Sequence, residues 1–261
     1  MPMKEYTHAA CSAAAVLVAE EVTSTFDATW RLAENAVPPA WTSLVALAQT
    51  AGRGQLRRVW HSPPGNLYVS FFLPENAALL GDMAALAVGW TVCAALARNG
   101  IETRLKWPND ILLLYENGTG KNGREGKFGG LLLEERAGTL MAGLGLNLKT
   151  APCDTVLRAG HAVPAVALPC FDEQPHTFWA KLLPDIKDIY ETEITECDAE
   201  GIRRQVESRL AWVGETVYAE DMGLSGRILG LRSDGALRLE CRGKAVFVTS
   251  GSVTPERARL S

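Results

Sequence analysis

A chain of 261 residues that is 47% hydrophobic and 21% charged has enough apolar side chain for a substantial core, which excludes a disordered or fibrous protein. Its formal net charge of -4 excludes a general polyanion-binding surface, so any basic stretch reads as a local site for a small anion. Six cysteines, at 11, 93, 153, 170, 197 and 241, form no C-x-x-C pair and no metal-spaced set with histidine, so reduced, buried thiols are expected.

Residues 9–19 imitate the apolar core of a signal peptide, but Glu5 and His8 precede them and Glu20-Glu21 close them. Residues 16–22 predict a strand ended by the hydroxyls of Thr23, Ser24 and Thr25. A helix should follow, with Asp27 near its start, Trp30, Leu32, Ala33 and Ala36 along it, and Pro38-Pro39 as its stop. Residues 43–48 predict a buried strand. Residues 66–73 predict its successor, in which Leu67, Val69, Phe71 and Leu73 alternate with Tyr68, Ser70 and Phe72. Residues 79–98 predict one long Ala-rich helix stopped at Gly100. No stretch reaches the roughly 18 to 20 apolar residues of a bilayer span, so the expected place is the cytoplasm, with no membrane partner.

Residues 103–106 and 111–115 predict strands on either side of a Trp107-Pro108-Asn109-Asp110 turn, and 116–126 a solvated, glycine-rich hairpin tip. Residues 127–135 and 139–148 predict a hairpin around Ala137-Gly138. Its Gly129, Gly130, Gly143 and Gly145 leave space where a ligand or another backbone comes close. Residues 150–175 have no clear period, while 177–192 and 198–210 predict helices. Residues 214–219, 226–231, 236–240 and 245–248 predict short strands joined at Asp234-Gly235 and Arg242-Gly243. The expected fold is α+β: a mixed β-sheet flanked by helices over residues 1–211, with a small β-barrel over 212–261.

Four runs carry chemistry. In Gln49-Thr50-Ala51-Gly52-Arg53-Gly54-Gln55-Leu56-Arg57-Arg58-Val59-Trp60, two glycines bring bare N–H groups to a phosphate, arginines neutralise it, and a tryptophan can stack on a base. Lys106-Trp107-Pro108-Asn109-Asp110 gathers a cation, an amide and a carboxylate around a proline. Gly126-Lys127-Phe128-Gly129-Gly130 and Gly143-Leu144-Gly145-Leu146-Asn147 follow. In this order the runs resemble the signature of the biotin-protein ligases, the biotin-acetyl-CoA-carboxylase ligases, and the resemblance continues from Trp212 to Val253.

The resemblance implies an ATP-dependent enzyme that makes biotinyl-5′-AMP and then biotinylates a lysine of a biotin carboxyl carrier domain. It implies that Ser24, Thr25, Gln49, Gly52, Arg53, Lys127 and Gly130 bind biotin, and that Arg53, Gly54, Arg58, Trp60, Asn109 and Asn147 bind the nucleotide. Lys127, Asp110 and Arg53 would be catalytic, with Asn109 and Asp110 as donors to Mg²⁺. Asp110 has a second implied role, orienting the carrier lysine and helping to deprotonate it. Too few residues precede Val16 for a winged DNA-binding domain, so no DNA partner is expected; a homodimer is left open. Two alternatives stand beside this reading: a lipoate or octanoate ligase or transferase of the same fold, and a non-catalytic ligand-binding relative. The chain departs from the family pattern at Gln55, where an arginine is usual, at Arg57, where a glycine is usual, and at Phe26, where an asparagine is common.

Overall fold

The computed structural model describes residues 4–6, 14–55, 58–115, 125–152 and 163–256. The chain clusters into two compact units. The first comprises Met1–Leu79, Phe128–Ala151 and Val166–Asp188, and the second Leu80–Lys127, Pro152–Ala165 and Ile189–Ser261.

The first unit is built on strands β1 (Lys4–Tyr6), β2 (Val16–Val22), β3 (Ser43–Gln49), β4 (Leu67–Phe72), β7 (Glu125–Arg136, from Phe128 onward) and β8 (Thr139–Leu146). They hydrogen-bond in the order β1-β2-β3-β4-β8-β7. The β2–β3 pair is parallel, because helix α1 (Thr25–Leu32) crosses between them, and the other pairs are antiparallel. β4 is buried at every position, so its apparent alternation does not mark a solvent face. One face carries α1, where Phe26 and Trp30 pack with Phe72 and Met141. Helix α3 (Pro175–Ile189) closes the unit through Trp179, whose Nε1 donates to Ser43 Oγ at 2.9 Å and whose ring lies 5.2 Å from Phe71.

Gly143 fixes how closely α1 can approach β8. A Cβ added there would lie 2.3 Å from the Phe26 ring. Gly143→Ala is therefore expected to destabilise the protein by about 1–3 kcal/mol, as overpacking of a closed core does. Chemical denaturation measures this, and an unchanged midpoint would refute the close packing.

In the second unit, helix α2 (Ala84–Arg98) packs on the hairpin of β5 (Thr103–Lys106) and β6 (Asp110–Leu114) and on α4 (Ala199–Ser208). Asp198 caps α4, its Oδ1 accepting the Gly201 N–H at 2.7 Å. Strands β9 (Thr216–Ala219), β10 (Leu224–Leu231), β11 (Leu237–Cys241), β12 (Lys244–Val248) and β13 (Val253–Pro255) form an antiparallel sheet in the order β12-β11-β10-β9-β13.

Several expectations need correction. The one long helix predicted over 79–98 is α-helical only from Ala84 to Arg98, and is preceded by a 3-10 stretch, Glu75–Met83, broken at Gly81 (φ 52°, ψ -131°). Together, Glu75–Arg98 is long and apolar enough to cross a membrane, contrary to the expectation, but 67% of its most apolar window is buried within the fold, as in a core helix. Helix α1 stops at Leu32, well before the prolines. Of the described cysteines, all free, Cys93 is buried, Cys170 is exposed, and Cys197 and Cys241 are half-buried. Burial pushes the Cys93 thiol up to about 11. The expected hairpin tip falls largely on residues 116–124, outside the described residues.

Candidate active site

The first unit holds the hydroxyls and the glycine-arginine loop. Ser24 stands at the N-cap of α1 in extended conformation (φ -153°, ψ 140°), yet its side chain caps nothing. Gln49, the last residue of β3, does that work instead: its Oε1 accepts the Thr25 N–H at 2.8 Å. Thr25 Oγ1 in turn accepts from Ser70 Oγ at 2.8 Å. Ser24 Oγ is left buried, with the residue 1% exposed, and has no hydrogen-bond partner among the described residues. Such a hydroxyl costs about 1–3 kcal/mol, which a ligand with a polar ring recovers on binding. Gln49, expected to bond biotin, has its amide engaged at both ends, since Nε2 donates to Ser62 Oγ at 2.8 Å.

The loop leaves β3 with Thr50 and Ala51 donating to the Val22 and Thr23 carbonyls. It then doubles back: Gly54 N–H donates to Arg58 O and Trp60 N–H to Gly52 O, both at 2.8 Å. Gly52 must lack a side chain, because a Cβ would lie 2.5 Å from Trp60 O and 2.6 Å from Ser62 Oγ. Arg53 Nη2 sits 2.8 Å from Asp27 Oδ1 and 3.9 Å from Glu134 Oε2. An exposed pair of this kind is worth at most about 1 kcal/mol, so a multiply charged phosphate can draw the guanidinium away. Arg58 is exposed; Arg57 lies outside the described residues.

Trp60 rests on Gly145, where a Cβ would meet its indole at 2.7 Å. Gly143 and Gly145 share one face of β8, two residues apart, so the Phe26 and Trp60 rings stand side by side on it. Gly130 is paired directly opposite Gly145. Asn147 is buried, its N–H donating to Phe128 O at 2.8 Å and its carbonyl accepting from Leu168.

The second unit holds Lys106, Asp110 and Lys127. After the cis Trp107-Pro108 bond and the half-buried Asn109, Asp110 opens β6. Its Oδ2 lies 2.8 Å from Lys106 Nζ and its Oδ1 2.6 Å from Lys127 Nζ. Lys106, 5% exposed, also donates to Ser252 Oγ at 3.1 Å, and Trp107 Nε1 donates to Gly235 O at 2.9 Å, so the loop before β13 and the turn before β11 brace this corner. The Lys127 backbone is pinned by its N–H, which donates to Pro164 O at 2.7 Å.

Burial works to raise the Asp110 pKa, but the adjacent Lys106 and Lys127 ammoniums outweigh it and hold the carboxyl well below the usual carboxylate range. A carboxylate so acidic is a poor proton acceptor near neutrality, where an effective base has a pKa close to the operating pH. Its arrangement suits it to holding cations in place. It does not suit a resident metal ion, since a divalent cation on either oxygen would sit beside an ammonium.

Residues 18–150 match the model of the biotin/lipoate A/B protein ligase family, a span that runs past every candidate site residue from Ser24 to Asn147. The chain belongs to that family. Among its relatives is the bifunctional ligase/repressor BirA of Bacillus spizizenii, 30% identical over 86% of this chain and 69% of that protein. The biotin-acetyl-CoA-carboxylase ligase of Paracoccus denitrificans is 35% identical over 53% of this chain and 56% of its own length. A biotin protein ligase from Aquifex aeolicus, solved in complex with biotin and ATP, has a TM-score of 0.69 at 27% identity, covering 92% of this chain and 97% of that one.

Of the three departures from the family pattern, Phe26 and Gln55 lie among the described residues, and Phe26 is spent on packing against Gly143, Phe72 and Met141. Gln55 is half-buried, its backbone carbonyl accepts the Arg58 N–H at 3.1 Å, and its side chain is neutral at a position where a guanidinium is usual. Gln55→Arg is expected to slow release of pre-formed biotinyl-5′-AMP about tenfold, the worth of one charge-assisted bond. A change below about twofold in a rapid-dilution release assay would show that position 55 does not control retention.

Sequence reasoning missed Ser62, Ser70 and Ser252. Ser70 left a signal, being the one aliphatic hydroxyl in the apolar run of β4, whereas Ser62 and Ser252 left none.

Proposed function

We propose that the chain is an ATP-dependent biotin-protein ligase. A biotin carboxylate oxygen attacks the ATP α-phosphorus, the bond to pyrophosphate breaks, and biotinyl-5′-AMP forms. The ε-amine of a carrier lysine then attacks the acyl carbon, AMP leaves with the acyl C–O electron pair, and the amine proton is lost. The first step joins two anions, so cations are needed where charge grows. Lys127, held by Asp110 and pinned through its backbone, supplies one at the carboxylate and α-phosphate; Arg53 and Arg58, with the Gly52 and Gly54 backbone, supply the others. Trp60 and Asn147 serve the nucleotide. Mg²⁺ accompanies ATP as part of the substrate, outside any step assigned to this chain.

The observation that carries biotin over lipoate is Ser24. A ureido ring offers N–H donors and a carbonyl acceptor to the buried Ser24 hydroxyl and to Thr25, whereas a dithiolane ring makes no comparable bond and would leave Ser24 unsatisfied. A biotin carboxyl carrier domain is the protein substrate in this proposal, and the cytoplasm, with its reduced thiols, the place. Residues 1–211 make the catalytic domain and 212–261 the C-terminal one. Operator binding, implied by the name of the Bacillus spizizenii relative, is no part of the proposal.

Incubation with ATP, Mg²⁺, biotin and a biotin carrier domain, followed by mass spectrometry, tests it. Addition of one biotinyl group to a carrier lysine is expected, and none with lipoate. Biotin binding without transfer would support the non-catalytic relative, and lipoyl transfer would support the lipoate reading.

A further inference from the structure

The Gln49 amide sits at the middle of a chain of hydrogen bonds that runs through the first unit. It begins at the α1 N-terminus, where the Thr25 N–H donates to Gln49 Oε1 at 2.8 Å. Gln49 Nε2 donates to Ser62 Oγ at 2.8 Å, and the Ser62 hydroxyl donates to Trp60 O at 2.9 Å. Trp60 N–H closes the loop by donating to Gly52 O at 2.8 Å. Ser62 is 7% exposed, and a Cβ on Gly52 would lie within 3.0 Å of Trp60 O, Ser62 Oγ and Gln49 Nε2 together, so the chain has no slack for a bridging water. At one end stand Ser24 and Thr25; at the other, the two ends of the glycine-arginine loop.

The polarity of this chain is fixed by its donors. The Gln49 carbonyl must accept from Thr25, so its NH₂ faces Ser62, and the single Ser62 proton must go to Trp60 O. Movement of Trp60 O would leave the Ser62 proton without its acceptor, and movement of Thr25 would leave the Gln49 carbonyl without its donor.

We infer that Ser62 is a positioning residue that couples the two halves of the ligand site, holding the α1 hydroxyl end and the exit of the phosphate loop in register so that each ligand favours binding of the other. This rests on the biotin-and-ATP reading above. Both bonds of the Ser62 hydroxyl are spent, on Gln49 and on the Trp60 carbonyl, and it acts through them.

Calorimetric titration of biotin with and without a non-hydrolysable ATP analogue, and of the analogue with and without biotin, measures the coupling. In the wild type each ligand is expected to tighten the other by the same factor, about fivefold or more. In Ser62→Ala the factor is expected to fall below about twofold while biotin alone binds within about threefold of wild type; Ser62→Thr, which keeps the hydroxyl, should restore it. Gln49→Glu is a second probe that nearly preserves shape. A carboxylate there takes the Ser62 proton for itself and releases Trp60 O, so coupling should be lost in a variant that keeps the Thr25 contact. Coupling under twofold in the wild type, or coupling kept within twofold of wild type in either Ser62→Ala or Gln49→Glu, overturns the inference. Failure of the wild type to bind biotin or the analogue is a different result and overturns the ligase reading itself.

Discussion

Lys127→Ala is expected to cut biotinyl-5′-AMP formation about a hundredfold to a thousandfold, the loss that follows removal of one preorganised group from a charge-building transition state. The protein should stay folded. Lys127 is partly exposed, with 31% of its side chain accessible, and its backbone bond to Pro164 does not depend on the side chain. Asp110 keeps its second cation, Lys106, at 2.8 Å. Single-turnover adenylate formation, read beside the circular dichroism spectrum, separates the outcomes. A rate within threefold of wild type would rule out the role given to Lys127, and an unfolded variant would show that it is structural.

The second large effect belongs to Asp110. Lys106 is almost fully buried, and its ammonium bonds to Asp110 and Ser252. Asp110→Asn leaves that ammonium without its counter-charge, and breaking a buried pair in this way costs about 3–5 kcal/mol. The variant should therefore lose both stability and carrier labelling, because Lys127 loses its anchor as well. Adding Lys106→Met removes the stranded charge. The double variant should regain most of the stability and none of the labelling, which separates the structural from the catalytic consequence. Denaturant titrations and carrier labelling of the single and double variants check this; recovery of labelling would show that Asp110 is needed for folding alone.

The same pair fixes a pH dependence. The Asp110 pKa is depressed in the folded state, so its ion pairs contribute their full stability above the ordinary carboxylate pKa of about 3.9, and that contribution is lost as pH falls through the depressed value. Asp110 should not account for any change in rate or stability between pH 5 and 8.

Much of the fold was legible because its strands are apolar runs closed by clear stops. β2 and β5 fall where periodicity places them, at Val16–Val22 and Thr103–Lys106, and Ala137-Gly138 takes the left-handed turn its composition implies. β1 and β13 were not legible, since three residues carry no period and their pairing is decided by distant partners. Gly81 was hidden inside a helical pattern that runs across it.

The site was legible as residue types and not as bonds. Gly52, Arg53, Trp60 and Asp110 stand out as residue types in their runs, whereas Ser24, Thr25 and Lys127 are picked out by the resemblance to the family. Nothing local shows that Gln49 spends its amide on Thr25 and Ser62, or that Asp110 carries two lysines, because those partners lie 24, 13, 4 and 17 residues away.

Exchange of labelled pyrophosphate into ATP reads the proposed first step without any carrier protein. Exchange is expected with biotin, is expected to fail with lipoate or octanoate, and should drop about a hundredfold or more in Lys127→Ala. No exchange with biotin, or exchange supported by lipoate in its place, would contradict the account.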